Sequence, residues 1–221
     1  MKILASALCM ALLILPSCRK SNREAKRIPL EITYSQHQVI YEYPPPKDIP
    51  PYVHAPTEPA VFLVPDGTRL LSARKPVTSS DPEPIIGSLD LITDGDKDPG
   101  EGHYVELLDG PQWVQIDLGR SASLSAICLW HEHSPYRIYH DVVARVSNDP
   151  DFRSGVTTLF NNDGDASSGL GKGSDSPYAE SRFGLIVDGL GVRGRYVRLH
   201  SNGNASNIHN RYTEVEVHGL P

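Results

Sequence analysis

Four phrases in the second half of the chain constrain its fold more than any other feature: Trp113-Val-Gln-Ile-Asp-Leu-Gly119, Val146-Ser-Asn-Asp149, Arg195-Tyr-Val-Arg-Leu199 and Glu214-Val-Glu-Val-His-Gly219. Each alternates apolar and polar side chains, the pattern of a strand with one face buried and one face wet. Each is followed closely by turn formers. Strands are predicted over residues 72–78, 113–118, 125–130, 142–147, 157–160, 185–187, 196–201 and 214–217. No segment longer than a turn or two carries a helical period. Many short strands separated by Gly, Pro, Asn and Asp predict an all-β sandwich or barrel, and functional residues then belong on the end loops.

The 221 residues allow one domain with appendages or two small domains, and a hydrophobic content of 39% suffices for a packed core. A formal charge of −6 leaves no basic footprint, so no nucleic-acid partner is expected. The chain opens MKILASALCMALLILPSC: Lys2 supplies a positive start, residues 3–15 are apolar but too few to span a bilayer, and a polar stretch follows from Arg19. This predicts an export signal over residues 1–17, set aside from the fold. Its end, Leu15-Pro16-Ser17-Cys18, resembles the lipobox of bacterial lipoproteins, where a small residue precedes an acylated cysteine. That resemblance implies a lipid anchor at Cys18 and a membrane partner in the bacterial cell envelope. Arg19 in place of an aspartate implies the outer membrane if the source is Gram-negative. The other outcome is a secreted soluble protein cut near Ser17.

Of the three cysteines, Cys9 falls in the signal and Cys18 at the anchor, which leaves Cys128. No internal disulfide is expected, and Cys128 reads as a small buried hydrophobe. Residues 31–43 look strand-like, either as an edge strand or laid loosely on the domain. Residues 44–59 are proline-rich, hence extended and stiff. The expected organisation is a lipidated N-terminus, strand-like segment and spacer over 18–65, then a β-sandwich domain over 66–221. The connection over 161–182 is rich in Gly, Ser and Asp, and loops that long are usually functional or mobile.

In their order, the strand phrases resemble the discoidin family, also called the coagulation factor V/VIII type C domain, which overlaps with the family 32 carbohydrate-binding modules. The residues that carry the resemblance are Ile92-Thr-Asp-Gly95, Trp113-Val-Gln-Ile-Asp-Leu-Gly119, Ala144-Arg-Val-Ser-Asn-Asp149, Arg195-Tyr-Val-Arg-Leu199 and Glu214-Val-Glu-Val-His-Gly219; they span about two-thirds of the chain. The resemblance implies a jelly-roll sandwich similar to galactose-binding domains, whose usual work is binding, often of sugars and sometimes of lipids or proteins. It also implies a structural calcium held by Asp94 and Glu214, with backbone carbonyls of Leu91, Asp96 and Thr213. Pro99 stands where the family often has a threonine ligand, and Asp98 can substitute there.

Read as residues alone, Asp94-Gly-Asp-Lys-Asp98 places carboxylates at alternate positions but is no EF-hand, because Pro99 and Val105 occupy the places that need Gly and Glu. It is either a calcium loop or a solvated acidic turn. Asn161-Asn-Asp-Gly-Asp165 offers oxygens for a second ion but reads first as a plain turn. His131-Glu-His133, with Arg137 and Tyr139, has poor zinc spacing, since alternate strand residues point opposite ways. Planar donors and an aromatic face on one loop suit a sugar, and the same residues serve equally as turn structure. Residues 201–211 carry Asn202, Asn204, Asn207, His209 and Arg211. Their amides match neutral hydroxyls, and asparagine also suits tight turns. Gly189-Leu-Gly-Val-Arg-Gly194 has dinucleotide-loop spacing but leads into a strand, so it reads as a turn. Trp113 is expected in packing, and the pairs Arg195/Arg198 and Glu214/Glu216 are expected to meet across strands.

No Ser-His-Asp order, nucleophile elbow or paired carboxylates emerges, so no enzyme is expected. The expected function is non-catalytic carbohydrate binding by a surface-anchored lipoprotein, with a glycan or glycoconjugate as partner and calcium as structural ion. The alternative is a protein-interaction, envelope-assembly or adhesion module that binds no sugar.

Overall fold

A computed structural model describes residues 26–37, 51–133 and 137–221. The export signal, the Cys18 anchor and the first part of the proline run lie outside the described residues. The strands are β1 (Arg27–Pro29), β2 (Leu63–Pro65), β3 (Arg69–Leu70), β4 (Val77–Ser79), β5 (Val105–Leu107), β6 (Gln112–His131), β7 (Val143–Ser147), β8 (Thr157–Asn161), β9 (Leu185–Asp188), β10 (Arg193–Ser201) and β11 (Asn210–Leu220). Among the described residues the single helical element is a 3-10 turn, Leu89–Thr93. The chain is therefore all-β and antiparallel, as the alternation predicts.

Strand β6 organises the molecule. Its first half pairs with β4 and β10, which carries β7 and then β8; its second half pairs with β9 and β11, which carries β3 and β5. One continuous strand thus passes from one layer of the sandwich to the other. The expected strands at 113–118 and 125–130 are its two ends. Inward side chains in the first half have even numbers (Val114, Ile116, Leu118, Leu124), and in the second half odd numbers (Ile127, Leu129). The switch falls at a register shift opposite His218 and Gly219, where one extra residue is inserted between Leu124 and Ala126. Val197 and Leu199 of β10 and Val215 and Val217 of β11 close the core from both sides. Since β10 and β11 both flank β6, the charged pairs expected across strands do not form. Arg195 instead holds Asp117 through two bonds of 2.7 Å, Arg198 binds Gln115 and stacks on Trp113 at 4.1 Å, and Glu216 lies 2.7 Å from Lys97 Nζ.

The odd-even switch turns Ala126, Cys128 and Trp130 outward, where they would face water. They form a second buried cluster covered by Leu30, Ile32, Tyr34, Phe62 and Ile186. Leu30 N donates to Phe62 O at 2.8 Å, β1 pairs with β2, and Trp130 Nε1 donates to Arg182 O at 3.1 Å. Burying a large apolar side chain contributes about 1.5–3 kcal/mol, so this cover is integral to the body. The spacer also docks: Val53 N donates to Pro177 O and Val53 O accepts from Ala179 N. The described residues from 26 onward accordingly pack on the sandwich. Of the two placements open for the strand-like segment, its described part takes the one on the domain face.

Candidate functional site

Three connections meet at one end of the sandwich. The segment after β6 runs beside the β10–β11 loop: His140 N donates to Gly203 O, Asn202 N to His140 O and Ala205 N to Ile138 O, all between 2.9 and 3.0 Å. The β8–β9 connection closes the other side, with Glu180 N donating to Arg137 O at 2.9 Å. The two loops that sequence singles out for a ligand are therefore brought together.

Most of their chosen side chains point inward. His131 and His133 are 0% exposed, and Arg137 4%. His131 Nδ1 lies 2.7 Å from Glu180 Oε1, and its ring stacks on Tyr139 at 4.1 Å. Burial holds His133 below the usual histidine pKa, hence neutral. Glu132 takes Arg137 Nε and Arg211 Nη1, and Arg211 Nε goes to Glu106. These opposite charges neutralise one another inside the end of the sandwich. Asn204 Oδ1 accepts from Ser206 N and Asn207 N, and Asn207 Oδ1 from His209 N, so these amides hold a turn. His209 lies 3.5 Å from Glu106. The expected rim ligands His131, His133, Arg137, Asn204, Asn207, His209 and Arg211 thus make contacts within the protein, while His131 Nε2, His133 Nε2 and His209 Nδ1 have no hydrogen-bond partner among the described residues.

Beside them opens a cavity of about 520 Å³. Of the expected site residues, Tyr139 and Asn202 line it. The rest of the wall comes from residues read as plain turn or passed over, chiefly His140, Asp141, Asn162, Asp165 and Ser167. Asp141 sits at φ 54°, a left-handed conformation that aspartate tolerates. Its Oδ2 accepts from Ser167 Oγ and Asn202 Nδ2, both at 2.8 Å, which ties all three connections together. Asp163 is fully buried behind this wall, and donors from Ser167 and Ser168 hold its carboxyl below the usual carboxylate range despite burial. Acceptors, amide groups and a patch of Tyr139 and Pro177 give the cavity the mixed lining that a polyhydroxylated ligand needs. The signal in sequence was the length of 161–182 and its richness in Gly, Ser and Asp.

The expected calcium loop lies elsewhere, where the 3-10 turn meets β11. Glu214 is 2% exposed, accepts from Gly95 N at 3.0 Å, and is pushed by burial up to a pKa of about 8. Thr213 Oγ1 is buried without a partner among the described residues. A desolvated carboxylate facing Asp94 and Gly95 fits a hard cation. Asp98, expected to substitute through its side chain, fits less well, because its Oδ1 accepts from Gly100 N; the Asp96 side chain, whose backbone carbonyl is the expected ligand, accepts from Asp98 N and lies 2.7 Å from His103. Leu91 sits within the 3-10 turn.

Scanned against known family models and curated proteins, the sequence matches none. Among solved structures, the chain is similar to chitosan-binding module 1 of a chitosanase/glucanase from Paenibacillus sp. IK-5, at 21% identity and TM-score 0.46 over 68% of this chain and 99% of that one. It is also similar to the family 32 module of AlyQ in complex with 4,5-unsaturated mannuronic acid, at 20% identity and TM-score 0.43 over 64% and 92%. A third likeness is to the family 32 module of Clostridium perfringens NanJ in complex with galactose, at 9% identity and TM-score 0.46 over 68% and 98%.

Proposed function

We propose that this chain is a non-catalytic carbohydrate-binding domain, exported and held at the bacterial cell envelope by a lipid on Cys18, and that the cavity between the three end connections receives the sugar. The observation that carries this reading is the cavity wall: Asp141, Asn162, Asp165, Ser167 and Asn202 surround an apolar patch on a rigid sandwich end. Sugar hydroxyls both donate and accept, and such a wall offers partners for both. The order of the five strand phrases supports the same reading. The reading of binding without turnover draws on the enclosure of the closest His–Glu pair at this end, His131 and Glu180, which are both 0% exposed and out of reach of a substrate. Affinity should be weak, on the order of millimolar, because a shallow site buries little of its ligand.

Gly164 supplies the test. It lines the cavity, and a Cβ added there meets no atom within 4 Å, so Gly164→Trp fills the mouth without removing a hydrogen bond. Calorimetry across a saccharide panel should show binding by the native chain, loss in Gly164→Trp and an unchanged melt. Absence of any saccharide binding at millimolar concentration by folded protein would sink the reading. For the anchor, bacteria fed a fatty-acid analogue should label the native chain and not Cys18→Ala, which should leave the membrane fraction.

A further inference from the structure

We propose that the end of the sandwich opposite the cavity docks on a bilayer of anionic phospholipid, with the lipid phosphates against Arg69, Lys75 and Arg120 and the side chain of Leu190 entering the interface. This goes beyond saccharide binding: it sets which end of the body faces the membrane, and it turns the cavity outward.

Charge marks this end. A groove of about 280 Å³ opens where β3, the middle of β6 and Pro221 meet. Arg69, Lys75 and Arg120 line it, and no Asp or Glu side chain does. Among the described residues none of the three forms an ion pair. Neighbouring carboxylates are already engaged: Asp117 takes two bonds of 2.7 Å from Arg195, and Asp66 lies 3.6 Å from Lys26. Arg193, at the start of β10, adds a fourth cation beside Arg120, its guanidinium donating to Ser121 O at 3.5 Å. Uncompensated cations gathered at one end of a chain of formal charge −6 make a surface that attracts anions where the rest of the body repels them.

Two further observations are independent of charge. Leu190 stands 72% exposed in the turn between β9 and β10, at φ 51°, a place where a solvated turn favours Gly, Asn or Asp. Gly191 O accepts from Ser123 Oγ at 3.1 Å, so this apolar tip lies beside the stretch of β6 that carries Arg120. The chain also enters the body at this end. Lys26 O accepts from Asp66 N at 2.8 Å, a Cβ on Gly67 would sit 3.7 Å from Leu220 Cδ2, and Arg69 pairs with Gly219. From Lys26 back to Cys18 the chain reaches at most about 29 Å when extended, and Arg19, Lys20 and Arg23 outnumber Glu24 along the way. In contrast, β10 runs away from this end, from Arg193 to Ser201 beside the cavity, over about 30 Å. A free phosphate answers the groove alone, and an acidic protein answers the cations alone. An anionic bilayer answers the cations, the apolar tip and the point of chain entry together.

Cosedimentation with vesicles tests this on the mature chain carrying Cys18→Ala, which removes any acyl group from the measurement. The probes are vesicles of phosphatidylcholine alone, vesicles of phosphatidylcholine and phosphatidylglycerol in equal parts, and soluble polyglutamate as an acidic protein surrogate. The mixed vesicles should bind roughly tenfold or more tighter than phosphatidylcholine alone, and salt should weaken that binding. Combining Arg69→Gln, Lys75→Gln and Arg120→Gln should keep the melt, since none of the three holds an ion pair, and should weaken mixed-vesicle binding by about fivefold for each cation removed. Leu190→Asn should also keep the melt, because asparagine tolerates this φ, and should weaken binding to the same vesicles. Mixed-vesicle binding that the triple variant leaves unchanged would overturn the proposal and assign the attraction to the basic residues before Lys26. Equal binding to both kinds of vesicle, or to neither, would overturn it as well. Polyglutamate binding as tight as that of the mixed vesicles, and lost in the triple variant, would give the surface to an acidic protein instead. Neither saccharide nor acyl chain enters the assay, so its failure leaves the cavity and the Cys18 anchor to their own tests.

Discussion

His200 lies on β10 with Nε2 buried and without a partner among the described residues, and burial, aided by the positive charges of Arg145 and Arg198, pushes its pKa from 6.5 down to about 3. The folded chain therefore binds fewer protons here than the unfolded chain between those values. Stability from this group is complete above about 6.5 and is lost as pH falls, by up to about 1.4 kcal/mol per pH unit. His133 shifts in the same direction. Urea midpoints should fall steeply from pH 7 to pH 4, and His200→Gln should flatten that fall; an unchanged slope would show that His200 titrates normally. Gly184 constrains the interior in another way. Its φ is 67°, and a Cβ there would sit 2.6 Å from Cε2 of the buried Trp130 ring and 2.8 Å from Leu129 O. Neither neighbour can yield without disturbing β6, so Gly184→Ala should cost about 1–3 kcal/mol in chemical denaturation.

At the scale of elements, the segment that packs Leu30, Ile32 and Tyr34 onto Cys128 and Trp130 acts as a cover whose removal has a direct readout. Burial raises the Cys128 thiol well above its usual pKa, so it is inert while covered. Tyr34 stacks edge-on against Phe183 at 5.3 Å; Tyr34→Ala should open the cover and speed Cys128 labelling by a thiol reagent at least several-fold in folded protein. Equal labelling rates would mean that the segment does not shield the thiol. The need for such a cover was legible in Ala126-Ile-Cys-Leu-Trp130, which is apolar on both faces and so must be buried on both. What covers it was not, because packing between segments so far apart in sequence leaves no local period. Alternation likewise revealed the ends of β6 as two strands. It could not join them, since Gly119, Arg120 and Ser121 look like a turn and instead lie within one strand, at the register shift where its pairing with β10 passes from Asp117 to Ala122. The site was legible only in part: His131, Glu132, Arg137 and Arg211 have the composition of a polar rim, and their mutual neutralisation in the interior depends on a fold that composition does not specify.

At the scale of the whole molecule, the loop at Asp94 and Gly95 is joined to the last strand, and we propose that calcium sits at that junction. The loop at Asp94 and Gly95 meets Glu214 from 119 residues further on, so an ion shared between them would join the entry to the sandwich with its last strand. Lys97 is committed to Glu216 at 2.7 Å and lies over Trp130 at 4.9 Å. Burial raises Glu214 most, Gly95 N and the charge of Lys97 offset part of that, and Glu216 and Asp94 add to it, an arrangement that a divalent cation relieves. Binding to the folded state alone adds about 2.7 kcal/mol when free calcium is a hundred times its dissociation constant, and a domain of this size gains roughly 2–4 °C in Tm per kcal/mol. Scanning calorimetry should show a melt several degrees higher in calcium than in chelator. In Glu214→Gln the two curves should coincide, because the amide removes the charge and keeps the shape. Coincident curves for the native chain would leave the junction to hydrogen bonds and apolar packing alone. A calcium response that survives in Glu214→Gln and disappears in Asp165→Asn would move the ion from the junction to the cavity.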